Sequence, residues 1–519
     1  MHIKLDRCMN FLRSTFVISF FTLFSRFFGF VRDIFFAKYL GTGILSDVFL
    51  TAFRLPNFFR NIFAEGAFNS AFVPIFSGIL IQSDGKKRDL LKFSRNIFSI
   101  LLYVLLILTL FVEIFMPQVV NVVASGFSDI PEKYNLVVIL SRITFPYLIF
   151  ISLVSFMSSV LNSLNKFAVV SVCPVILNLT FIFFSILSPF LNKNIAYLLS
   201  YAVLVGGFLQ FVWLLIFTIR SKILLFPVYP MVDELSKTFF RNFSNGFLAS
   251  GVVQINSMID SIMAAKIAGA VSFIYYADRI SQLPLALIGT AISISILPLL
   301  SKKIAAKSDD VFKIQEDALF IGLFLGLPSM VGLYFMADLA IPVLFERGAF
   351  TASASAAVIK CLKIYSFSLP AFITIKILQA VFFANGDTKT PLVTSSITML
   401  SNIVLNMIFM KFFGFAGIVL STALSSLLNV LALLSILIKQ KRLVLSNVFC
   451  FKLVKVIYVL FFMIITLCFC EKFMTFGGDI FIFKFLKLLA MAGLSGTIYL
   501  GFSFYLKIVD YKYFCKKNL

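Results

Sequence analysis

The chain has 519 residues, 60% of them hydrophobic and 13% charged, and its mean hydropathy is +1.02. So few charges could not cover the apolar surface of a soluble protein this large, which excludes water as the main solvent and leaves the bilayer. The net charge of +22 would suggest nucleic acid in a soluble chain, but it lies mostly between apolar runs and reads as orientation by the positive-inside rule.

About fourteen membrane spans are predicted, near 12–38, 44–78, 94–122, 136–162, 167–189, 195–219, 236–267, 272–300, 314–337, 353–384, 391–411, 414–438, 451–471 and 482–507. The first contains Arg26, Arg32 and Asp33, so it reads as a span rather than a cleavable leader. Basic residues gather in alternate loops. Lys86, Lys87, Arg88, Lys92 and Arg95 follow the second span; Arg220, Lys222, Lys237 and Arg241 surround the connection from the sixth to the seventh. Lys302, Lys303 and Lys307 follow the eighth, and Lys439, Lys441 and Arg442 follow the twelfth. Both termini are therefore expected in the cytoplasm. The seven cysteines show no metal-ligand spacing, the one histidine is His2, and the cysteines read as small packing residues.

The chain repeats itself at an offset of about 223 to 228 residues. Ala37-Lys38-Tyr-Leu-Gly41 pairs with Ala265-Lys266-Ile-Ala-Gly269, Arg54 with Arg279, Phe145-Pro146 with Leu369-Pro370, and Ser171 with Ser395. The expected fold is an all-α polytopic membrane protein with two pseudo-symmetric six-helix lobes, 1–222 and 223–442. A helix pair with no counterpart, 443–519, completes it. Parallel repeats of this kind point to a transporter with its site between two lobes.

Charges occur where they are expensive. Arg26, Arg32 and Asp33 fall in the first span, and Asp47, Arg54, Asn57, Arg60, Asn61 and Glu65 in the second. A charge at the bilayer centre costs roughly 3 kcal/mol on insertion scales, so such residues face protein or a wet cavity. At 100° per residue Asp47, Arg54, Asn61 and Glu65 share a stripe, and Arg60 joins it only if Pro56 bends the helix. Each arginine alone could snorkel or pair with a nearby carboxylate. As a set, Arg26, Arg32, Arg54, Arg60 and Arg279 suit an anion, because the guanidinium fork fits phosphate and keeps its charge when partly desolvated.

Asp260, Asn402, Asn406 and Thr422 are mid-span oxygen donors that could hold Na⁺, with a polar helix-packing cluster as the competing reading. Gly386-Asp-Thr-Lys-Thr-Pro391 reads as a tight cytoplasmic turn. No P-loop, nucleophile elbow or histidine-based site is present in the sequence, so no enzyme is expected. Energy would come from an ion gradient, the membrane potential or the substrate itself.

Several strings resemble motifs of the MurJ (MviN) family of the multidrug/oligosaccharidyl-lipid/polysaccharide exporter superfamily. They are Ser25-Arg-Phe-Phe-Gly-Phe-Val-Arg-Asp33, the run from Phe53 to Pro74, Ile274-Tyr-Tyr-Ala-Asp-Arg-Ile280, Glu346-Arg-Gly-Ala-Phe-Thr351 and Gly386 to Pro391. The resemblance covers nearly the whole chain. It implies fourteen helices, two lobes around a central cavity, and a groove for a lipid tail made by the last two helices. It further implies an inner-membrane flippase whose partners are lipid II, membrane lipids and cell-wall synthesis machinery. On that resemblance Arg26, Arg32, Arg60 and Arg279 would line the cavity and meet the pyrophosphate. Asp47 matches an acidic position, and Ser25, Asn57 and Ser272 match polar ones. Gln282 stands where some members carry glutamate. The rival readings are a flippase for another polyprenyl-linked glycan, a cation-coupled drug exporter and a scaffold without transport.

Overall fold

The computed structural model describes residues 21, 23–62, 68–82, 87–128, 130–308, 310–473 and 481–508. The described residues are almost wholly helical, and eleven of their helical stretches are long and apolar enough to cross a membrane. Those eleven coincide with the third to sixth and eighth to fourteenth predicted spans. The other three predicted spans are the first, second and seventh. All three carry charges within their length, and the first two also run into residues outside those described.

In chain order the first unit holds α1 (residues 23–39), α2 (Ile44–Ile62), α3 (Phe68–Gln82), α4 (Lys87–Ile114), α5 (Met116–Val123), α6 (Pro131–Thr144), α7 (Tyr147–Ser163), α8 (Phe167–Ser171), α9 (Cys173–Leu191), α10 (Ile195–Arg220) and α11 (Glu234–Ala264). By packing this unit is Met1–Ser272 together with the short segment Gly348–Phe350. Proline punctuates its helices. Pro56 lies inside α2 and has no N–H, so the carbonyl of Ala52 loses its helical donor. The Thr144 hydroxyl donates to that carbonyl at 3.0 Å. Phe145 and Pro146 separate α6 from α7, and Pro131 opens α6. Side chains cap the later helices: Asn194 accepts from the Ala196 amide and Asp233 from the Ser236 amide, satisfying otherwise orphaned first-turn donors.

Phenylalanines fill this unit. Phe36, Phe49 and Phe181 meet edge to face, and Phe68, Phe72, Phe93, Phe156 and Phe239 form a second cluster. Edge-to-face rings gain about 0.5–1.5 kcal/mol per pair beyond simple burial.

The second unit, Phe273–Arg347 with Thr351–Leu519, contains most of α12 (Ala270–Pro284), a π-helical turn (Leu285–Thr290), α13 (Ala291–Ala305), α14 (Val311–Phe345), α15 (Ala352–Ala384), α16 (Lys389–Phe413), α17 (Phe415–Lys439), α18 (Asn447–Phe473) and α19 (Phe481–Tyr505). Its core is aliphatic: Leu300, Ile373, Ile377, Val381, Leu433, Val456 and Leu467 are buried together. Gly289 of the π turn faces Ile373, and an added Cβ would stand 3.2 Å from the Ile373 Cα. The Tyr499 hydroxyl donates to the Phe324 carbonyl at 2.7 Å, tying α19 to α14. Outward faces of both units are apolar, as at Leu110, Phe190, Phe412 and Phe461. That surface is stable only against acyl chains.

Candidate functional site

In α1 the Arg32 guanidinium folds back on its neighbour: Nη2 and Nε lie 2.8 and 3.0 Å from Asp33 Oδ1. Its Nη1 donates to Asn178 Oδ1 of α9 at 2.9 Å, and Asn178 donates in turn to the Ser25 carbonyl at 3.2 Å. The Phe36 and Phe181 rings lie 5.5 and 5.8 Å from the guanidinium carbon. Arg32 is thus a braced, half-buried charge with a buried counter-ion. Arg26, from the same motif, is exposed.

In α2 the arrangement is different. Arg60 Nε donates to Asn57 Oδ1 at 2.6 Å and Nη2 to Asn61 Oδ1 at 2.7 Å. Asn61 Nδ2 donates onward to Gln254 Oε1 of α11 at 3.0 Å. These acceptors orient the fork and are neutral, so they leave its positive charge uncompensated. Arg54 is half-buried on the same helix. Glu65 lies outside the described residues.

Asp47, near the start of α2, is 2% exposed. Its carboxylate accepts the Gly269 amide at 2.7 Å, the Ser272 amide at 3.0 Å and the Ser272 hydroxyl. These donors stand at the beginning of α12, where amides are unpaired and the helix dipole favours an anion. Asp47 is therefore the cap of α12, and Ser272 is bound to it.

Two close backbone approaches accompany this cap. The Lys38 carbonyl accepts the Ala349 amide at 2.9 Å. Gly41 has φ +65°, and a Cβ there would fall 2.4 Å from the Ala349 oxygen; at Gly348, φ +60°, it would fall 2.3 Å from the Lys38 oxygen. Gly126 meets Lys266 likewise, with an added Cβ 2.4 Å from the Lys266 nitrogen. Lys38 and Lys266 are repeat partners, and each is matched by a glycine on another loop. Sequence reasoning singled out neither Gly348 nor Gly126 for this role. The shared offset of the two lysines was the signal that could have found them.

In the second unit Arg279 is exposed on α12, its guanidinium carbon 4.8 Å from the centre of the Tyr275 ring. Gln282 donates to Asp278 at 3.2 Å, so the amide at this position serves a carboxylate one turn back. Asn402, Asn406 and Thr422 come together: Asn406 donates to Asn402 at 3.0 Å, and Asn402 to Thr422 at 3.4 Å. Sodium there would exchange those bonds for coordination. Asp260, the fourth candidate ligand, is half-buried on α11 in the first unit. Among the described residues no cluster of three or more His, Cys, Asp or Glu side chains could hold a metal.

The family model described as "Lipid II flippase MurJ" matches residues 36–489. The chain belongs to the MurJ family. It is 36% identical over 440 residues, 84% of this chain and 85% of the other, to a probable lipid II flippase MurJ of Rickettsia prowazekii. It is 39% identical over 430 residues to one of Rhizobium tropici, covering 82% of this chain and 80% of that one. Among solved structures it resembles "Lipid II flippase MurJ, inward closed conformation", with TM-score 0.78 and 28% identity over 95% of this chain and all of that one. An inward-facing multidrug resistance MATE transporter shares the fold, with TM-score 0.65 at 13% identity over 79% of this chain and 93% of the other. The MurJ family is one of flippases, and the motifs quoted from the sequence, from Phe53 to Gly386–Pro391, fall within the matched range.

Proposed function

We propose that the protein flips lipid II from the cytoplasmic to the periplasmic leaflet of the bacterial inner membrane, with both termini in the cytoplasm. The family match over residues 36–489 carries the reading. The arginines supply chemistry that fits it. The headgroup is bulky, polar and anionic and cannot cross hydrocarbon unaided, while the prenyl tail can stay in lipid. Arg26, Arg32, Arg54, Arg60 and Arg279, with Ser25 and Asn57, would receive the pyrophosphate in a cationic cavity between two lobes, 1–222 and 223–442. Residues 443–519 would hold the tail. Alternating exposure of that cavity would move the headgroup. Asp47 and Ser272 bind each other, so they would meet substrate only after the cap of α12 opens.

The coupling source in this reading is the membrane potential, worth about 2.3 kcal/mol per charge per 100 mV when loaded and empty carriers differ in charge. Sodium at Asn402, Asn406 and Thr422 is the alternative source, distinguished by removing the sodium gradient while holding the potential. The deciding experiment is an assay of lipid II exposed at the periplasmic face after depletion of this protein. Loss of exposure, restored by the wild-type chain and not by Arg60→Gln or Arg279→Gln, is expected. Undiminished exposure on depletion would overturn the reading.

A further inference from the structure

A cavity of about 380 Å³ opens in the first unit between α4 and the stretch that joins α10 to α11. Its volume falls in the range of small-ligand pockets, roughly 300–1,000 Å³. Arg88, Lys92 and Arg95 line it from α4, at spacings of four and three residues that place them on one helical face. Among the described residues Arg88 and Lys92 have no ion-pair or hydrogen-bond partner and both are exposed. The one lining carboxylate, Asp233, is committed to the Ser236 amide at 2.9 Å.

The far wall is a strap, residues 223–233, without regular secondary structure. It is fixed to α4. Asn96 Oδ1 accepts the Met231 amide and Asn96 Nδ2 donates to the Met231 carbonyl. Ser99 accepts the Val228 amide at 2.7 Å, and Arg95 donates to the Leu224 carbonyl at 2.8 Å while stacking 3.7 Å from the Phe226 ring centre. The backbone is pinned to α4, and the strap's apolar side chains keep much of their surface exposed: Tyr229, which with Met231 also lines the cavity, is 86% exposed and Val232 68%, with Leu224, Phe226 and Met231 also exposed. Exposed aromatic and aliphatic side chains beside a row of cations are what the junction of headgroups and acyl chains selects.

We propose that this pocket seats the phosphate of an anionic phospholipid headgroup of the cytoplasmic leaflet, gripped by Arg88 and Lys92 with the strap's apolar side chains among the first acyl carbons. The side of the membrane rests on the positive-inside reading of these loops; the site is separate from the transport residues. A soluble anion would use the cations and leave the strap's exposed apolar side chains unexplained, so the lipid is the occupant favoured.

The test is thermal unfolding of the full chain in a zwitterionic detergent, titrated with short-chain phosphatidylglycerol, with phosphatidylcholine of equal chain length, or with inorganic phosphate. A ligand that binds only the folded state raises Tm with concentration. Phosphatidylglycerol should raise Tm, and the other two should not. Arg88→Gln/Lys92→Gln changes only exposed side chains. It should need at least roughly tenfold more phosphatidylglycerol for the same rise, since each juxtamembrane cation contributes substantially to anionic-lipid affinity. An equal response in the double variant, an equal response to phosphatidylcholine, or a response to inorganic phosphate that matches the lipid would overturn the proposal. None of these outcomes bears on lipid II flipping.

Discussion

The Asp47 carboxylate accepts the Ser272 amide at 3.0 Å and also the Ser272 hydroxyl, so residue 47 of α2 closes the start of α12. Hydrogen bonds to a buried charge contribute roughly 1.5–3 kcal/mol each when one partner is removed. Asp47→Ala should therefore lower stability by about 2–4 kcal/mol, and Ser272→Ala by about 1–2 kcal/mol. Because the two share bonds, the double variant should fall short of the sum by at least about 0.5 kcal/mol. Thermal unfolding of the four proteins in detergent measures this. Strict additivity would show that the two side chains act independently.

Arg60 depends on its fork. Lysine at this position keeps the charge but cannot engage Asn57 and Asn61 together in the same plane. Arg60→Lys is expected to insert normally and to reduce lipid II flipping at least roughly tenfold, as a mispositioned binding group does. Asn57→Ala should reduce it less, since Asn61 still orients the guanidinium. Periplasmic exposure of lipid II, normalised to protein level, is the readout.

Two glycines with the same left-handed backbone should respond differently to alanine. At Gly348 the new Cβ would meet the Lys38 backbone oxygen at 2.3 Å, whereas at Gly386, φ +74°, nothing lies within 4 Å. Gly386→Ala costs only the left-handed conformation, roughly 1–2 kcal/mol. Gly348→Ala must also displace backbone and should sharply reduce accumulation in the membrane. Comparison of protein levels and Tm settles it, and similar behaviour of the two would count against the close contact.

Asp387 gives a pH dependence. The Thr390 amide at 3.0 Å and hydroxyl at 2.7 Å, and Arg442 at 3.5 Å, hold its carboxyl below the ordinary carboxylate range. A depressed folded value means stabilisation present above the unfolded pKa, near 4, and lost as pH falls through the folded value. Asp387→Asn keeps an oxygen for the Thr390 amide and loses the charge. It should cost about 0.5–1 kcal/mol at pH 7, and the Tm difference from wild type should shrink as pH drops below about 4.

Much of this was readable from residue order. Apolar length located eleven spans because hydrocarbon thickness dictates it; Phe145-Pro146 falls inside one predicted span, 136–162, yet separates α6 from α7, because proline lacks a donor. The turn at Gly386 was legible too, but not the tie from Asp387 to Arg442, which are far apart in the chain. Pairing with a nearby carboxylate was legible as the competing reading for a single arginine, and Arg32 takes it with its neighbour Asp33. The cap of α12 was missed because it joins residues 47 and 272 through space. A clue existed: the two stand 225 residues apart, within the offset of the repeat.

The amide cradle around Arg60 has one more implication. Asparagine accepts without carrying charge, so the cradle fixes the direction of the guanidinium and leaves its attraction for an anion whole. An anion held there leaves only when the surrounding helices shift or when another anion displaces it.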